Sequence, residues 1–353
     1  MNQPKNDTKA GQPLLEVKDL HVTFTTFGGE VKAVRGVDLT LRAGETLAIV
    51  GESGCGKSVT ARSLMRLLPE RTARITSGSI KLKGRELTGL SEKQLRQLRG
   101  SEISMIFQDA MTALNPTITI GEQIIEGILR HQKVSRTEAR RQAVEMLELV
   151  GISHPQTRLK QYLHEFSGGM RQRIMIAIAL VCKPSVLIAD EPTTALDVTI
   201  QAQILELFQM LQERTGVSII IITHDLGVVA KIADRVNVMY AGRVVESGPV
   251  GEVFHRPQHP YTLGLLASMP RLDSDRTIPL RPIPGTPPDL FAPPPGCAFA
   301  ARCSRAMAVC GTYPPERTEP SPGHTVTCWL QDPRAQAVRP ESQPVGTAGR
   351  PAI

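Results

Sequence analysis

The stretch "TLAIVGESGCGKSVTARSLMRLL", residues 46–68, decides how the rest of the chain is read. It opens on a short apolar run, "TLAIV", rich in branched side chains and continuous rather than alternating, which is the pattern of a strand buried on both faces of a parallel sheet. The next residues, "GESGCGKS" (51–58), fit the phosphate-loop pattern G-x-x-x-x-G-K-[ST] in full. The segment after them, "VTARSLMRLL", reads as a helix, so the loop lies between a strand and a helix, where a chance glycine-rich turn has no particular reason to be. In such a loop Gly51, Gly54 and Gly56 let backbone N–H groups turn inward around phosphate oxygens, with Ser53, Cys55 and the first helical residue Val59 completing the cradle. Lys57 carries positive charge to the β and γ phosphates of a bound nucleotide, and Ser58 offers a hydroxyl to Mg²⁺. Cys55 occupies a variable position. It is read as a bystander, although an exposed thiol there would make the protein sensitive to alkylation.

Two further apolar runs of the same kind, "VLIA" (186–189) and "SIIII" (218–222), also end on unusual polar residues, "DEPTTALD" and "THD". In open α/β sheets ligands bind beyond the carboxyl ends of the strands, so all three ends are expected to line one crevice. There Asp190 is placed to hold Mg²⁺ through its water shell, and Glu191 to orient or deprotonate an attacking water. His224, immediately after a buried strand, is sited for catalysis rather than for a purely structural role.

Elsewhere the sequence is a globular one. Of 353 residues 41% are hydrophobic, enough for a real core, and no apolar run approaches the length of a membrane span. The formal charge of +7 comes from basic residues scattered among acids, as on solvated helix faces, and only 4% of residues are aromatic, so no nucleic-acid partner is expected. "SRTEARRQAVEMLELVG" (135–151) predicts an amphipathic helix: a capping box of Ser135 and Glu138, a stripe of Ala139, Ala143, Met146, Leu147 and Val150, and a stop at Gly151. After residue 250 the texture becomes proline-dense, which excludes long regular elements. The expected division is a disordered N-terminus over 1–13, an α/β nucleotide-binding domain over 14–250, a small Pro- and Cys-rich appendage over 251–330, and a disordered tail over 331–353.

"EFSGGMRQR", residues 165–173, narrows the class. It resembles the signature of ABC ATPases, usually written L-S-G-G-Q, with Phe166 and Met170 as departures. With the phosphate loop, "IFQD" (Gln108), "ADEPTTALD" (Asp197) and "THD" in order, the resemblance covers residues 14–250. It implies a RecA-like core with an antiparallel β subdomain and an inserted helical subdomain at about 109–168. It also implies a head-to-tail pair of ATPase domains, in which ATP and Mg²⁺ on one phosphate loop are capped by the partner's Ser167, Gly168 and Gly169. At a helix N-terminus those three groups suit a γ-phosphate. By the same resemblance Gln108 senses the γ-phosphate and Mg²⁺, His224 holds the γ-phosphate and the Glu191 water, and Asp197 crosses the dimer interface. An aromatic that stacks on adenine is implied upstream. Phe27, thirty residues before Lys57, fits best, with Phe24 as the alternative.

One ATPase domain without a membrane span resembles the separately encoded motor of an importer. "QDAMTALNP" and "HPYTLGLLASMP" are similar to the dipeptide and oligopeptide importer subfamily, which also includes nickel transporters. That resemblance implies a second ATPase subunit, two permeases, an extracytoplasmic substrate-binding protein and a place at the cytoplasmic face of the membrane. The competing readings are a nickel or other small-solute importer, and a soluble ABC regulator of nucleic-acid or ribosome function. Cys297, Cys303, Cys310 and Cys328 stand apart from the ATP chemistry. Disulfides are not expected in a cytosolic ATPase, and four nearby thiols in a loop-rich segment suit a structural metal. Spacing alone leaves Zn²⁺, a [4Fe-4S] cluster and unligated thiols open, and the subfamily resemblance favours the [4Fe-4S] cluster. Cys182 is read as ordinary core.

Overall fold

A computed structural model describes residues 12–108, 113–194, 196–269 and 282–337. Residues 1–11 and 338–353, expected to lack structure, and residues 109–112, at the expected start of the helical subdomain, lie outside the described residues. In chain order the strands are β1 (Leu15–Thr26), β2 (Gly29–Leu41), β3 (Thr46–Val50), β4 (Ala73–Leu82), β5 (Arg85–Glu86), β6 (Ile103–Ile106), β7 (Val186–Asp190), β8 (Ser218–Ile222), β9 (Arg235–Tyr240), β10 (Arg243–Pro249), β11 (Arg317–Ser321) and β12 (His324–Thr327).

The three apolar runs are β3, β7 and β8, adjacent in the larger sheet, whose order is β11-β12-β10-β9-β3-β8-β7-β6. Strands β9 to β6 in that order run parallel, and every residue of β3, β7 and β8 is buried. That two-sided burial is why these strands are unbroken apolar runs. The smaller sheet, β2-β1-β4-β5, is antiparallel. It packs through Leu15, Val17, Leu20 and Val22 into a core shared with Leu47, Ile49, Ile188 and Ile220 of the parallel sheet.

Between β6 and β7 lie the helices Ile120–His131, Arg136–Leu149, Pro155–Arg158 and Gly168–Leu180. The second of these is the predicted amphipathic helix. Ser135 caps it by accepting the Glu138 N–H at 3.1 Å, Ala139, Ala143, Met146 and Leu147 are buried, and Gly151 ends it at φ +79°. The reciprocal half of the expected capping box is replaced. The Glu138 carboxylate turns instead to Arg141 and Gln142, and the Arg141 guanidinium holds it well below the ordinary carboxylate range, at about 2. An ionised neighbour outcompetes a neutral backbone N–H for the same oxygen.

The change of texture near residue 250 does not mark the edge of a core. Strand β12 pairs antiparallel with β10, Glu246 opposite Val326 and Ser247 opposite Thr325, so the C-terminal segment extends the ATPase sheet. Val253, Tyr261 and Phe299 belong to the same buried cluster as Val236, Val238 and Tyr240. The Glu246 carboxylate, fully buried, accepts from the Gln258 and His259 N–H groups and pairs with His324 at 2.8 Å. A buried carboxylate is tolerable only when so many partners replace its water. Residues 331–337, expected to be disordered, include the end of a 3-10 turn and the short helix Pro333–Ala337. Asp332 starts that helix by accepting the Arg334 N–H and pairing with its guanidinium.

Candidate active site

The strand ends converge as their polar residues require. Gly51 begins the phosphate loop at φ +149°, and a Cβ there would lie 2.2 Å from the Met239 carbonyl oxygen of β9, so only glycine fits. Gly56 repeats the constraint at φ +100°, with its Cβ position 2.5 Å from the Ala33 carbonyl oxygen. The Cys55 carbonyl accepts from Gly242 N–H at 2.9 Å, tying the loop to the β9–β10 turn. Lys57 Nζ donates to the Gly51 and Glu52 carbonyls at 2.8 and 2.9 Å. Ser53 and Gly54 lie at the exposed turn of the loop, and Val59 comes next in the first turn of the helix Lys57–Leu64.

Cys55 is not an exposed thiol. It is buried against the Gly51 position, and burial, partly offset by the nearby Lys57 ammonium, pushes its pKa up. A protonated, enclosed thiol is a poor target, so the alkylation sensitivity an exposed thiol would bring is not expected. Cys182 is half-buried against the core, with its Sγ 3.5 Å from the Gly127 carbonyl oxygen.

Asp190, the last residue of β7, is buried and accepts the Ser58 hydroxyl at 2.9 Å. Burial raises its pKa, while the Ser58 hydrogen bond, Arg62 and Lys57 work the other way. A hydroxyl and a carboxylate side by side are hard oxygen donors of the kind Mg²⁺ takes while keeping most of its water. Glu191 leaves the strand in the left-handed region, φ +47°, an unusual conformation for a non-glycine residue and one that concentrates at functional sites. Its carboxylate gathers three groups: Gln108 Nε2 at 2.9 Å, Thr194 Oγ1 at 3.0 Å and His224 Nδ1 at 3.4 Å. Gln108, Glu191 and His224, read separately in the sequence and standing just beyond the ends of β6, β7 and β8, thus meet at one carboxylate. Thr194 was not singled out in the sequence, although it lies inside "DEPTTALD".

The signature and Asp197 stand at neighbouring helix starts. Ser167 caps Gly168–Leu180 by accepting the Met170 N–H at 3.4 Å, and Asp197 caps Val198–Thr215 through the Ile200 N–H at 2.9 Å. The Gly169 Cβ position is 2.9 Å from Ile200 Cγ2, so the two helix starts pack closely. Phe166, at the departure from leucine, is buried with Arg158 5.6 Å above its ring. Met170 packs half-buried against the core. Phe27 is fully exposed at the tip of the β1–β2 hairpin, whereas Phe24 packs half-buried against the core.

The four C-terminal cysteines are free thiols. Cys297 N–H donates to the Cys310 carbonyl at 2.7 Å, and the sulfurs of Cys303 and Cys310 each accept a backbone N–H, from Arg305 and Met307, at 3.4 Å. Burial and then the proximity of Cys297, Cys303 and Cys310 push the Cys328 thiol up to about 12. The four are thus near enough to influence one another. Among the described residues, however, no group of three or more His, Cys, Asp or Glu side chains stands in metal-holding geometry.

Comparison with known proteins agrees with this architecture. Residues 34–194 match the ABC transporter family and residues 245–310 the C-terminal region of oligopeptide and dipeptide transporters. A dimeric post-hydrolysis structure of the ATP-binding cassette MJ0796, bound to ADP and phosphate, is 26% identical with a TM-score of 0.60, covering 67% of this chain and 98% of that one. The cbiO1 subunit of Clostridium perfringens, part of the transporter complex cbiONQ, is 31% identical with a TM-score of 0.59, over 69% of this chain and 91% of that one. The chain belongs to the ATP-hydrolysing subunits of ABC transporters. Within them it is 62% identical to the dipeptide transport ATP-binding protein DppD of Bacillus subtilis, over 92% of this chain and 97% of the relative. It is 53% identical to the oligopeptide transport ATP-binding protein OppD of Salmonella typhimurium, over 93% of this chain and 98% of the relative. Its place is therefore in the dipeptide and oligopeptide branch of the family. Among the described residues no helix is long and apolar enough to cross a membrane.

Proposed function

We propose that this chain is the ATP-driven motor of an importer for dipeptides or oligopeptides. The observation that carries the reading is that identity to peptide-transport ATP-binding proteins runs through more than nine-tenths of the chain, C-terminal region included. It acts at the cytoplasmic face of the cell membrane, with a second, related ATPase subunit, two permeases and an extracytoplasmic binding protein. The helical segment from Ile120 onward passes the motion of the ATPase pair to the permeases.

In this reading the phosphate loop and Lys57 hold the phosphates, and Phe27 stacks on adenine. The full exposure of Phe27, against a Phe24 that packs half-buried on the core, supports that choice. Ser58, Asp190 and Gln108 hold Mg²⁺, which neutralises phosphate charge when bound. Glu191 takes the proton of the attacking water, Gln108 and His224 fix its carboxylate, and the partner chain's signature helix closes over the γ-phosphate. Asp197 of each chain faces the partner. ATP binding closes the pair and hydrolysis reopens it.

Cys297, Cys303, Cys310 and Cys328 form a thiolate site for a metal, a [4Fe-4S] cluster ahead of Zn²⁺. The donor set is right for either metal, and backbone N–H groups already point at two of the sulfurs. The sulfurs must still draw together to bind.

The test is co-purification from detergent-solubilised membranes, then peptide uptake in cells lacking the chain. Permeases in the eluate and restored uptake are expected. Nucleic acid or ribosomes without membrane proteins would sink the transport reading, and uptake of a metal ion but no peptide would sink the cargo.

A further inference from the structure

Two side chains from the C-terminal region close on one residue of the phosphate loop. Tyr261, fully buried, accepts the Glu52 N–H on its hydroxyl oxygen at 2.8 Å. Arg302 grips the Glu52 carboxylate with both terminal nitrogens, at 2.6 and 2.9 Å, and Nη1 also donates to the Tyr240 hydroxyl at 3.2 Å. The Arg302 side chain is only 5% exposed. Its guanidinium lies 5.7 and 5.9 Å from the ring centres of Tyr240 and Phe299, and Nε donates to the Pro284 carbonyl at 2.8 Å. A planar, two-pronged ion pair whose guanidinium is buried, with the Glu52 side chain 26% exposed, is the directional kind.

Glu52 comes directly after Gly51, and its third polar group, the carbonyl, accepts from Lys57 Nζ. The amide, carboxylate and carbonyl of one loop residue are therefore each held, the first two by residues 209 and 250 positions away in the chain. The peptide planes at Gly51 and Glu52 set where the next loop amides point, and those amides are the phosphate cradle. We infer that Tyr261 and Arg302 are positioning residues that hold the phosphate loop in its ATP-binding shape, so that nucleotide affinity depends on the C-terminal region. The inference rests on the reading of residues 51–58 as the ATP site. It also accounts for "HPYT" (259–262). His259 Nδ1 accepts the Tyr261 N–H at 3.0 Å, capping the helix Pro260–Ala267 and fixing the tyrosine.

The test measures Mg²⁺-ATP affinity of the full-length chain by displacement of a fluorescent ATP analogue, and KM and kcat of ATP hydrolysis in the assembled transporter. Arg302→Gln is expected to weaken affinity and raise KM about tenfold, with kcat within about twofold. Arg302→Lys should recover part of the loss. Glu52→Gln should match Arg302→Gln, and the double variant should be no weaker than either single, because both break one interaction. Tyr261→Phe, which removes one oxygen atom, should cost about threefold and carries the test if Arg302→Gln does not fold. Unchanged affinity in folded Arg302→Gln and in Tyr261→Phe, additive losses in the double variant, or a fall in kcat and melting temperature with KM unmoved would each overturn the inference. Lys57→Ala separates the two levels. If it keeps normal ATP affinity, the ATP-site reading itself fails; if it abolishes binding while Arg302→Gln is neutral, only the positioning role fails.

Discussion

Gly51→Ala tests whether the phosphate loop is packed as tightly as its geometry states. The new methyl group would sit 2.2 Å from the Met239 carbonyl oxygen and 2.8 Å from Cys55 Sγ, at a backbone φ of +149°. Real Cβ contacts essentially never fall below 3.0 Å, so something must move by 3.0 − 2.2 = 0.8 Å. Met239 cannot be what moves, because β9 is hydrogen-bonded on both sides, to β3 and to β10. The loop must shift instead. Strained φ costs about 1–3 kcal/mol and the overlap about 1–3 kcal/mol more, roughly 2–6 kcal/mol together. Even the low end is about a 30-fold loss if it falls on the ATP-binding shape. Gly54→Ala is the internal control. Its φ is also positive, +77°, but nothing lies within 4 Å of its Cβ, so only the left-handed cost of about 1–2 kcal/mol applies. ATP affinity from a fluorescent-analogue titration, with the melting temperature of each variant, should place Gly51→Ala at least about fivefold below Gly54→Ala. Equal affinity in the two variants would refute the close approach of the loop to β9.

Three other outcomes are expected. Glu191→Gln in the assembled transporter should retain ATP yet lose about 100-fold or more in turnover, and normal turnover would remove Glu191 from the chemistry. Burial favours a protonated Glu86, but the hydroxyls of Ser79 and Thr88 and the Ile80 and Thr88 N–H groups outweigh it, lowering its pKa from 4.5 to about 2. The contribution of Glu86 to stability is then complete above pH 4.5 and lost as pH falls toward about 2, so the melting-temperature gap between wild type and Glu86→Gln should shrink over that window; a constant gap would contradict it. Protein purified without oxygen should absorb at about 400 nm with iron bound, and Cys328→Ser should lose both, whereas finding neither iron nor zinc would leave the thiols without a metal.

Much of the ATP site was legible because its chemistry is local. A phosphate cradle is made from consecutive backbone amides, so "GESGCGKS" had to be contiguous, and a buried parallel strand needs an unbroken apolar run. The helix caps at Ser135 and Ser167 act over three residues and were equally readable, whereas Asp197, expected only at a dimer interface, also caps the helix Val198–Thr215. The sequence failed where a side chain had a choice of partners. Glu138 left its capping box for Arg141, because local spacing cannot say which neighbour the folded chain will offer.

The sequence by itself determined the class of fold, the phosphate loop, the acids at the strand end and the signature helix, since each is written in one short segment. Tertiary structure decided that Gln108, Thr194 and His224 meet on Glu191, and that the proline-rich segment shares the ATPase core rather than hanging from it. It also brought Tyr261 and Arg302 to Glu52. These contacts join positions far apart in the chain, and their partners are chosen by sheet order and burial, which no local pattern encodes.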